Sequence, residues 1–416
     1  MNPDTAPGPN LYGPNLYGPS LYGLDPSRLA RIGPWMQGWV DSGRITGLSV
    51  AVHRRGRLAY LGCAGMADRE RALPMDPTTV VRIYSMTKPL TTVALMALYE
   101  EGRFQLDDPI ASVLPAFAAM QVWTPDGLVP AVRPITYRDL MTHTSGLTYG
   151  FHHATPVDAM YRDQGVDFQT ADRTLAEVVD HLATLPLVHQ PGTAWNYSVA
   201  TDVMGHLVAV HAGQPFDAFL HDRVLAPLGM TETGFQVRED QRPRFAANYA
   251  RGEAKLGEEG RATLLDDPAT SRYLQPRLPS GGGGLVSDIH DYGRFCQFLL
   301  NRGTLQGNRI LGRKTVELMM NNHLPGDMAA MGQARFSESS YEGIGFGLGF
   351  SVMLDPARAQ ILGTPGECAW GGAASTAFWV DPAEDMAVVM FAQLTPSSTY
   401  PIRRELRVLT YAAIVD

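Results

Sequence analysis

The sequence predicts an α+β fold in which the two ends of the chain form one antiparallel sheet, helices flank that sheet, and a mainly helical second domain is inserted. Two observations support this prediction. Strand signals lie near both termini, whereas helical spacing and Pro- and Gly-rich loops dominate the middle of the 416 residues. A doubly wound parallel sheet would need strands and helices to alternate along the whole chain, and this sequence lacks that alternation.

Changes in composition predict three regions along the chain. Residues 1–24 form a Pro- and Gly-rich tail with near-copies of the motif PNLYG, which are too few and too short for a repeat fold. Residues 25–108 and 278–416 form the α/β domain that contains the sheet. Residues 109–277 form the mainly helical domain.

The individual elements follow from the spacing of apolar residues. Strand patterns occur at residues 45–53, 57–62, 345–354, 375–380 and 386–393. Helical patterns occur at residues 25–42, 85–101, 174–185, 200–212, 216–224, 287–301 and 402–413. The helix at 85–101 is apolar on most faces, so we expect it to be buried. The four glycines at 281–284 are interpreted as a flexible turn.

Charge and composition exclude several classes of partner. The formal net charge is −8, and no basic cluster could follow a nucleic-acid backbone. No apolar run is long enough to span a membrane and no signal peptide is visible, so we expect a cytoplasmic location. Cys63, Cys296 and Cys368 lack metal-ligand spacing, so we expect reduced, buried thiols, no metal and no cofactor. The sequence gives no indication of oligomeric state.

The strongest chemical signal is the S-x-x-K pattern of Ser85 and Lys88, which occurs once in the chain. At positions i and i+3 of a helix the two side chains lie on the same face, and the helix N-terminus adds a positive field at Ser85. A chance match to so short a pattern is the competing interpretation. The apolar helix favours chemistry, because a buried lysine must be paired or neutral and either state can help to deprotonate the serine.

Two further segments carry candidate residues. Tyr197 lies between a Pro-Gly turn and a predicted helix, where its phenol can point into a cleft; a packing tyrosine is the alternative. Trp370-Gly371-Gly372-Ala373 leads into the strand at 375–380. Glycines at a strand entrance let a substrate approach the backbone, and backbone N–H groups there can bind an oxyanion. A bulge or a tight turn is the competing interpretation of this segment.

In this order the motifs Ser85-x-x-Lys88, Tyr197-Ser198-x and Trp370-Gly371-Gly372 resemble those of the family VIII carboxylesterases. Those enzymes share the fold of serine β-lactamases and penicillin-binding proteins and are closest to class C β-lactamases. Segments 140–147 and 281–288 are similar to the same family, and the resemblance covers roughly residues 27–415. It implies a β-lactamase-like α+β fold and a serine carboxylesterase that hydrolyses short-chain esters.

The resemblance also implies a role for each matched position. Ser85 is the nucleophile that forms an acyl-enzyme, and Lys88 is its base or electrostatic partner. Tyr197 takes and returns the proton, and which of Lys88 and Tyr197 is the general base stays open.

The third motif supplies the implied substrate-binding edge. Trp370 occupies its first position, followed by Gly371 and Gly372. The backbone N–H groups of Ser85 and Ala373 match the oxyanion hole. The expected partner is a small-molecule ester.

Two departures from the β-lactamase pattern favour esters over antibiotics. Trp370 stands where a lysine helps to hold the carboxylate of a β-lactam, and Val199 stands where class C enzymes have asparagine. Without the lysine an anionic β-lactam loses a charge-assisted contact, whereas a neutral ester loses nothing. Arg82 or Arg272 is a candidate replacement for the missing cation.

Other functions remain as alternatives. Within the superfamily they are a β-lactamase with weak cephalosporinase activity, a D-Ala-D-Ala peptidase, and an acyltransferase that uses the same residues. An α/β-hydrolase would need a G-x-S-x-G motif, which is absent. His152 and His153 lack a metal-binding pattern and are expected to be loop or surface residues. A non-enzymatic binding module is disfavoured because all three catalytic positions carry competent residues.

Overall fold

The main sheet is built from strands at both ends of the chain, in a computed structural model that describes residues 10–11, 22–166, 173–253, 260–332 and 340–416. Within these ranges nine strands pair in the order β1-β3-β2-β17-β16-β15-β14-β13, with β4 beside β3. The strands of the chain are β1 (Asn10–Leu11), β2 (Gly47–Arg54), β3 (Arg57–Asp68), β4 (Leu73–Pro74), β5 (Val81–Arg82), β6 (Gln121–Thr124), β7 (Gly127–Pro130), β8 (Asn248–Arg251), β9 (Ala262–Asp266), β10 (Val286–Ser287), β11 (Thr304–Leu305), β12 (Asn308–Arg309), β13 (Ile344–Phe346), β14 (Ser351–Met353), β15 (Cys368–Gly371), β16 (Ala377–Asp381), β17 (Met386–Phe391) and β18 (Leu394–Thr395).

Every pairing in the main sheet is antiparallel. At its centre β2 pairs with β17, so that Val52 lies opposite Val388. Side chains alternate between two buried faces: Val388 and Met390 face one apolar core, and Val389 and Phe391 face the other. Because helices cover both faces of the sheet, the sequences of these strands are continuous runs of apolar residues.

Helices form a layer on each side of the sheet. Helices α2 and α13 contribute to the core on one face, and α10 packs on the other, with α3 and α7 packed against each other behind it. The helices are α1 (Pro26–Leu29), α2 (Ile32–Asp41), α3 (Thr87–Glu100), α4 (Tyr137–Met141), α5 (Pro156–Asp163), α6 (Leu175–Leu182), α7 (Ala200–Ala212), α8 (Phe216–Leu220), α9 (Ala226–Leu228), α10 (Ile289–Leu300), α11 (Arg313–Met319), α12 (Pro356–Ala359) and α13 (Ile402–Tyr411).

The predicted α+β fold with an antiparallel sheet from both ends of the chain is confirmed. Helix α7 has the predicted bounds, but the predicted helix 25–42 is divided into α1 and α2. The predicted strand 345–354 is a hairpin, because the chain reverses between β13 and β14. The division into domains stays a prediction; the segment 109–277 also contains β8, which pairs in parallel with β18.

The predicted tail, residues 1–24, lies mostly outside the described residues. Two of its residues, Asn10 and Leu11, form β1 and pair with Cys63 and Gly62 on β3. This pairing covers an edge of the sheet that would otherwise expose backbone donors and acceptors. In the described parts of the chain, no helix is both long and apolar enough to cross a membrane.

The last helix, α13, is attached to the sheet by a buried polar cluster. Glu367, just before β15, accepts hydrogen bonds from Arg407 Nη1 (2.7 Å) and from Tyr411 Oη (2.5 Å). Tyr411 Oη also lies 2.8 Å from Asp381 Oδ2 at the end of β16. Glu367 is 1% exposed, and burial raises the pKa of its carboxyl. Such a charge needs its partner, since an unpaired carboxylate in a core is costly.

We expect Arg407→Met to destabilise the protein by about 3–5 kcal/mol at neutral pH, because it leaves the Glu367 carboxylate buried without its cation. Adding Glu367→Gln should recover much of this loss. The single variant should also gain stability as the pH falls, since burial raises the pKa of Glu367 in the folded state and protonation removes the unpaired charge. Chemical denaturation of both variants across pH measures these effects; equal stability of the single and double variants would contradict the assignment.

Candidate active site

Ser85 lies in a tight 3₁₀ turn, Tyr84–Met86, that leads directly into α3. The preceding residue, Tyr84, has a φ of 44°, a left-handed conformation that costs a non-glycine residue roughly 1–2 kcal/mol. Its ring packs edge-on against Tyr273 at 6.2 Å. This sharp turn leaves Ser85 partly exposed at the start of a helix whose remaining residues are largely buried.

Ser85 opens into a cleft with a volume of about 710 Å³. The structure brings the residues predicted from the three motifs to this cleft. Those that line its wall are Ser85, Tyr197, Trp370, Gly371, Gly372 and Ala373. Lys88 is 1% exposed and lies below the floor of the cleft, one helical turn after Ser85.

The buried ammonium of Lys88 has three hydrogen-bond acceptors. Its Nζ lies 2.6 Å from the carbonyl oxygen of Gly282, 2.9 Å from Tyr149 Oη and 3.4 Å from Ser85 Oγ. The face of the Tyr197 ring adds a cation–π contact at 4.6 Å. Three acceptors match the three N–H groups of an ammonium, so the buried amino group has a hydrogen-bond partner for each of its donors.

The glycine run at 281–284 forms part of this binding site. Asp202, at the start of α7, accepts hydrogen bonds from Gly282 N–H (2.9 Å) and Ser280 Oγ (2.6 Å). Thr91 Oγ1, on α3, donates to the carbonyl of Gly281 at 2.9 Å. The run forms the predicted turn, but Gly281 and Gly282 are buried and bonded to two helices, which argues against the flexibility that was expected.

Tyr197 is the closest side-chain partner of Ser85. Its Oη lies 2.6 Å from Ser85 Oγ. The backbone carbonyl of Tyr197 accepts a hydrogen bond of 2.7 Å from His152 Nε2, and its ring packs edge-on against His143 at 4.9 Å. Burial and the nearby Lys88 charge hold the pKa of His143 well below its usual range, so this ring is neutral. The expectation that His152 is a surface or loop histidine missed its bond to Tyr197.

Tyr149 is a residue of the site that the sequence did not reveal. It belongs to no recognisable motif, yet its Oη contacts Lys88 and its ring stacks on Phe151 with centroids 4.6 Å apart. Phe151 is 56% exposed at the mouth of the cleft. The one sequence signal was position, since Tyr149 follows the segment 140–147 that resembles the family.

Trp370 lies on β15 with its ring facing the cleft. The ring centroid is 5.5 Å from that of Tyr197 and 5.3 Å from that of Phe346. The side chain is half-buried and apolar at the position where a lysine was expected in β-lactamases. At this position the cleft therefore presents an aromatic ring and no charge.

The two glycines after Trp370 admit groups of the protein itself. A Cβ on Gly371 would lie 2.7 Å from Arg403 Nη2, and a Cβ on Gly372 would lie 2.3 Å from the carbonyl oxygen of Ile83. Gly371 thus leaves room for a guanidinium, and Gly372 lets the turn before β16 pack against the segment that precedes Ser85. Neither of the two interpretations of this segment, substrate approach or a bulge or tight turn, predicted these contacts.

Arg82 does not face the cleft. Its side chain is buried, and its Nε pairs with Asp266 Oδ2 at 2.7 Å. Arg272 is also absent from the residues that line the cleft, whereas Arg403 and Arg404 are among them. The expectation that Arg82 or Arg272 replaces the lysine is therefore wrong. Over the ranges that the structure describes, no cluster of three or more His, Cys, Asp or Glu side chains could hold a metal ion.

Known proteins are similar to this chain in sequence and in fold. The sequence profile of the family described as Beta-lactamase matches residues 34–412. A Mycobacterium tuberculosis protein named Rv1367c is 37% identical over 365 residues, which cover 86% of this chain and 88% of the relative. Esterase EstB of Burkholderia gladioli is 32% identical over 385 residues, which cover 89% of this chain and 91% of EstB.

A solved structure agrees with this family context. EstCE1, described as a hydrolase with promiscuous acyltransferase activity, has a TM-score of 0.79 and 29% sequence identity to this chain. The similarity covers 92% of this chain and 99% of EstCE1. It therefore extends over both the sheet and the helical segment.

We expect Gly282→Ala to slow covalent labelling of Ser85 by a fluorophosphonate by about tenfold or more. The added Cβ would lie 2.3 Å from Asp202 Oδ2 and must displace either that carboxylate, which holds Gly282 N–H, or the Gly282 backbone, whose carbonyl binds Lys88. Gly38→Ala is the matched control, because Gly38 is exposed on α2 and a Cβ there meets no atom within 4 Å. Equal labelling rates in the two variants would show that the Gly282 carbonyl does not position the lysine.

Proposed function

The chain belongs to the β-lactamase family of serine hydrolases, and we propose that within this family it is a carboxylesterase that hydrolyses short-chain, uncharged esters through an acyl-enzyme on Ser85. The observation that carries the proposal is the contact of 2.6 Å between Tyr197 Oη and Ser85 Oγ, directly above the buried ammonium of Lys88. A serine bonded to a potential proton acceptor beside a fixed cation is equipped for nucleophilic attack.

The first half of the proposed reaction acylates Ser85. Tyr197, in its phenolate form beside the Lys88 cation, takes the proton from Ser85 Oγ as that oxygen attacks the ester carbonyl carbon. The resulting oxyanion accepts hydrogen bonds from the backbone N–H groups of Ser85 and Ala373. The carbon–oxygen bond to the alcohol then breaks, and Tyr197 returns the proton to the departing alkoxide.

The second half repeats these transfers with water. Water loses a proton to Tyr197, its oxygen attacks the acyl carbon, and the bond to Ser85 Oγ breaks as the serine regains a proton. Tyr197 is favoured over Lys88 as the direct acceptor because the Tyr197 contact with Ser85 Oγ is 2.6 Å, whereas the lysine contact is 3.4 Å. Lys88 then acts through its charge.

The walls of the cleft support esters over β-lactams. Trp370 presents an aromatic ring where a lysine would bind a carboxylate, and Val199 is buried at the start of α7 and offers no amide to the substrate. An anionic β-lactam would enter without the charge-assisted bond that the lysine supplies, whereas an uncharged ester needs no such contact.

Acyl transfer to an alcohol is a second candidate function. A cleft of about 710 Å³ leaves room for an acceptor alcohol beside a short acyl group on Ser85. EstCE1 offers a precedent for both activities on this fold. In the same chemical scheme an alcohol replaces water in the second attack, so product analysis with added alcohol distinguishes ester exchange from hydrolysis.

We expect Ser85→Ala to abolish ester hydrolysis without loss of fold, and Lys88→Ala and Tyr197→Phe each to lower kcat by about 10²–10⁴-fold. The last two effects should be strongly non-additive, because both residues serve one proton pathway. Mass spectrometry after sulfonyl fluoride treatment should place the adduct on Ser85. An adduct on another serine, or full activity of Ser85→Ala, would contradict the proposal.

We expect kcat/KM for p-nitrophenyl butyrate to exceed that for a penicillin and a cephalosporin, with the cephalosporin the better β-lactam. Trp370→Lys should raise β-lactam turnover by about one to two decades, since a hydrogen bond to a charged group contributes roughly 1.5–3 kcal/mol. Trp370→Met is the control that removes the ring without adding charge. If kcat/KM of the unaltered protein for the penicillin equalled or exceeded that for the ester, the protein would be a β-lactamase. The interpretation that Trp370 disfavours β-lactams would then be wrong.

A further inference from the structure

We propose that Arg403 is a positioning residue that fixes the turn at residues 372–376 and so holds the Ala373 N–H at the oxyanion site. The inference rests on the proposed function, because it concerns the same reaction. Arg403 is the second residue of α13 and lines the cleft. No sequence motif pointed to it, because it lies outside all three motifs.

The guanidinium of Arg403 bridges the two ends of the turn. Its Nη2 lies 3.0 Å from the carbonyl oxygen of Gly372 and 2.8 Å from that of Thr376. Within the turn, Gly372 N–H donates to Thr376 O at 3.0 Å and Ser375 N–H donates to Gly372 O at 3.1 Å. Both carbonyls that close the turn therefore also accept a charge-assisted hydrogen bond from one cation.

The same turn touches the segment that carries the nucleophile. Thr376 Oγ1 donates to the carbonyl of Ile83 at 3.4 Å, and the α-carbon of Gly372 packs closely against that carbonyl. Ile83 lies two residues before Ser85. The two proposed oxyanion donors, the N–H groups of Ser85 and Ala373, thus belong to segments that meet at this contact, and Arg403 holds the second segment from its other side.

Arg403 is itself supported by a rigid helix. Arg403, Arg407 and Tyr411 are spaced i, i+4 and i+8 and lie on one face of α13. Arg407 binds Glu367 at the start of β15, and Tyr411 binds Asp381 at the end of β16. The helix therefore contacts β15, β16 and the turn between them, and Arg403 reaches the turn from a fixed base.

This arrangement predicts an effect on the transition state alone. In the ground state a neutral ester carbonyl needs little stabilisation, whereas the oxyanion depends on donors that are already in place. Loss of the Arg403 hydrogen bonds to the turn should therefore lower kcat and leave KM nearly unchanged. The competing role for Arg403 is direct contact with an anionic substrate, because the residue lines the cleft; that role would appear as a change in KM for charged substrates.

The test is a kinetic comparison of Arg403→Met, Arg403→Lys and the unaltered protein with p-nitrophenyl butyrate. For Arg403→Met we expect kcat to fall by about 10–100-fold while KM changes by less than about threefold. Arg403→Lys keeps a cationic donor that can reach at least one carbonyl, and should recover part of kcat. Guanidinium chloride at millimolar concentration should partly restore Arg403→Ala, because Gly371 leaves space for a free guanidinium.

Arg28→Met is the matched control. Arg28 Nη1 also donates to a backbone carbonyl, that of Ala412 just after α13, but it lies away from the cleft. The Arg28→Met variant should have an unchanged kcat, and guanidinium chloride should not raise kcat of this variant. Thermal unfolding of each variant separates a loss of fold from a loss of positioning.

Each outcome decides between named possibilities. A rise in KM with kcat intact, or no change at all in Arg403→Met, would overturn the inference. If Arg403→Met does not fold, the intermediate kcat of Arg403→Lys and the guanidinium response of Arg403→Ala still test it, and absence of both would overturn it. If the unaltered protein and Ser85→Ala were equally inactive on esters, the proposed function itself would fail, which is distinguishable from failure of the Arg403 assignment.

Discussion

The charge of one buried lysine is the constraint on which the architecture of the cleft depends. An ammonium in a core is tolerated only when its donors are satisfied, and the acceptors of Lys88 come from three separate parts of the chain. One acceptor, the Gly282 carbonyl, is held in turn by Asp202 at the start of α7. The hydrogen bonds that satisfy Lys88 therefore join α3, α7 and the glycine run into one unit. Ser85 lies where that unit reaches solvent.

The opposite wall of the cleft follows from close backbone packing. The Arg403 guanidinium approaches Gly371, and the Ile83 carbonyl approaches Gly372. Both groups come so close that a Cβ on the glycine would clash with them. The chain can therefore bring β15, the start of α3 and α13 together around a small volume. The hydrogen bonds of Lys88 fix one wall of the cleft, and close packing at the two glycines fixes the other. Tyr197 lies between the two walls, with its Oη in contact with Ser85 Oγ.

Patterns local in sequence predicted the fold class and the bounds of α7, and the ordered motifs indicated Ser85, Lys88 and Tyr197 as residues of one site. Helical spacing and short motifs encode these features within a few residues. Contacts between distant segments were not predictable in this way. Tyr149 and Arg403 join the site only after folding; the position of Tyr149 after the segment 140–147 was its one sequence signal, and no motif includes Arg403. The buried state of the glycine run escaped prediction for the same reason, because its rigidity comes from Asp202 and Thr91.

The pairing of β2 with β17 has a consequence for how the protein is made. Strand β2 ends at Arg54 and β17 begins at Met386, so the centre of the sheet cannot close until the intervening residues have left the ribosome. At about 5–20 residues per second the apolar hairpin of β2 and β3 waits tens of seconds for its partner. During that interval its unpaired edge is open to pairing with other nascent chains.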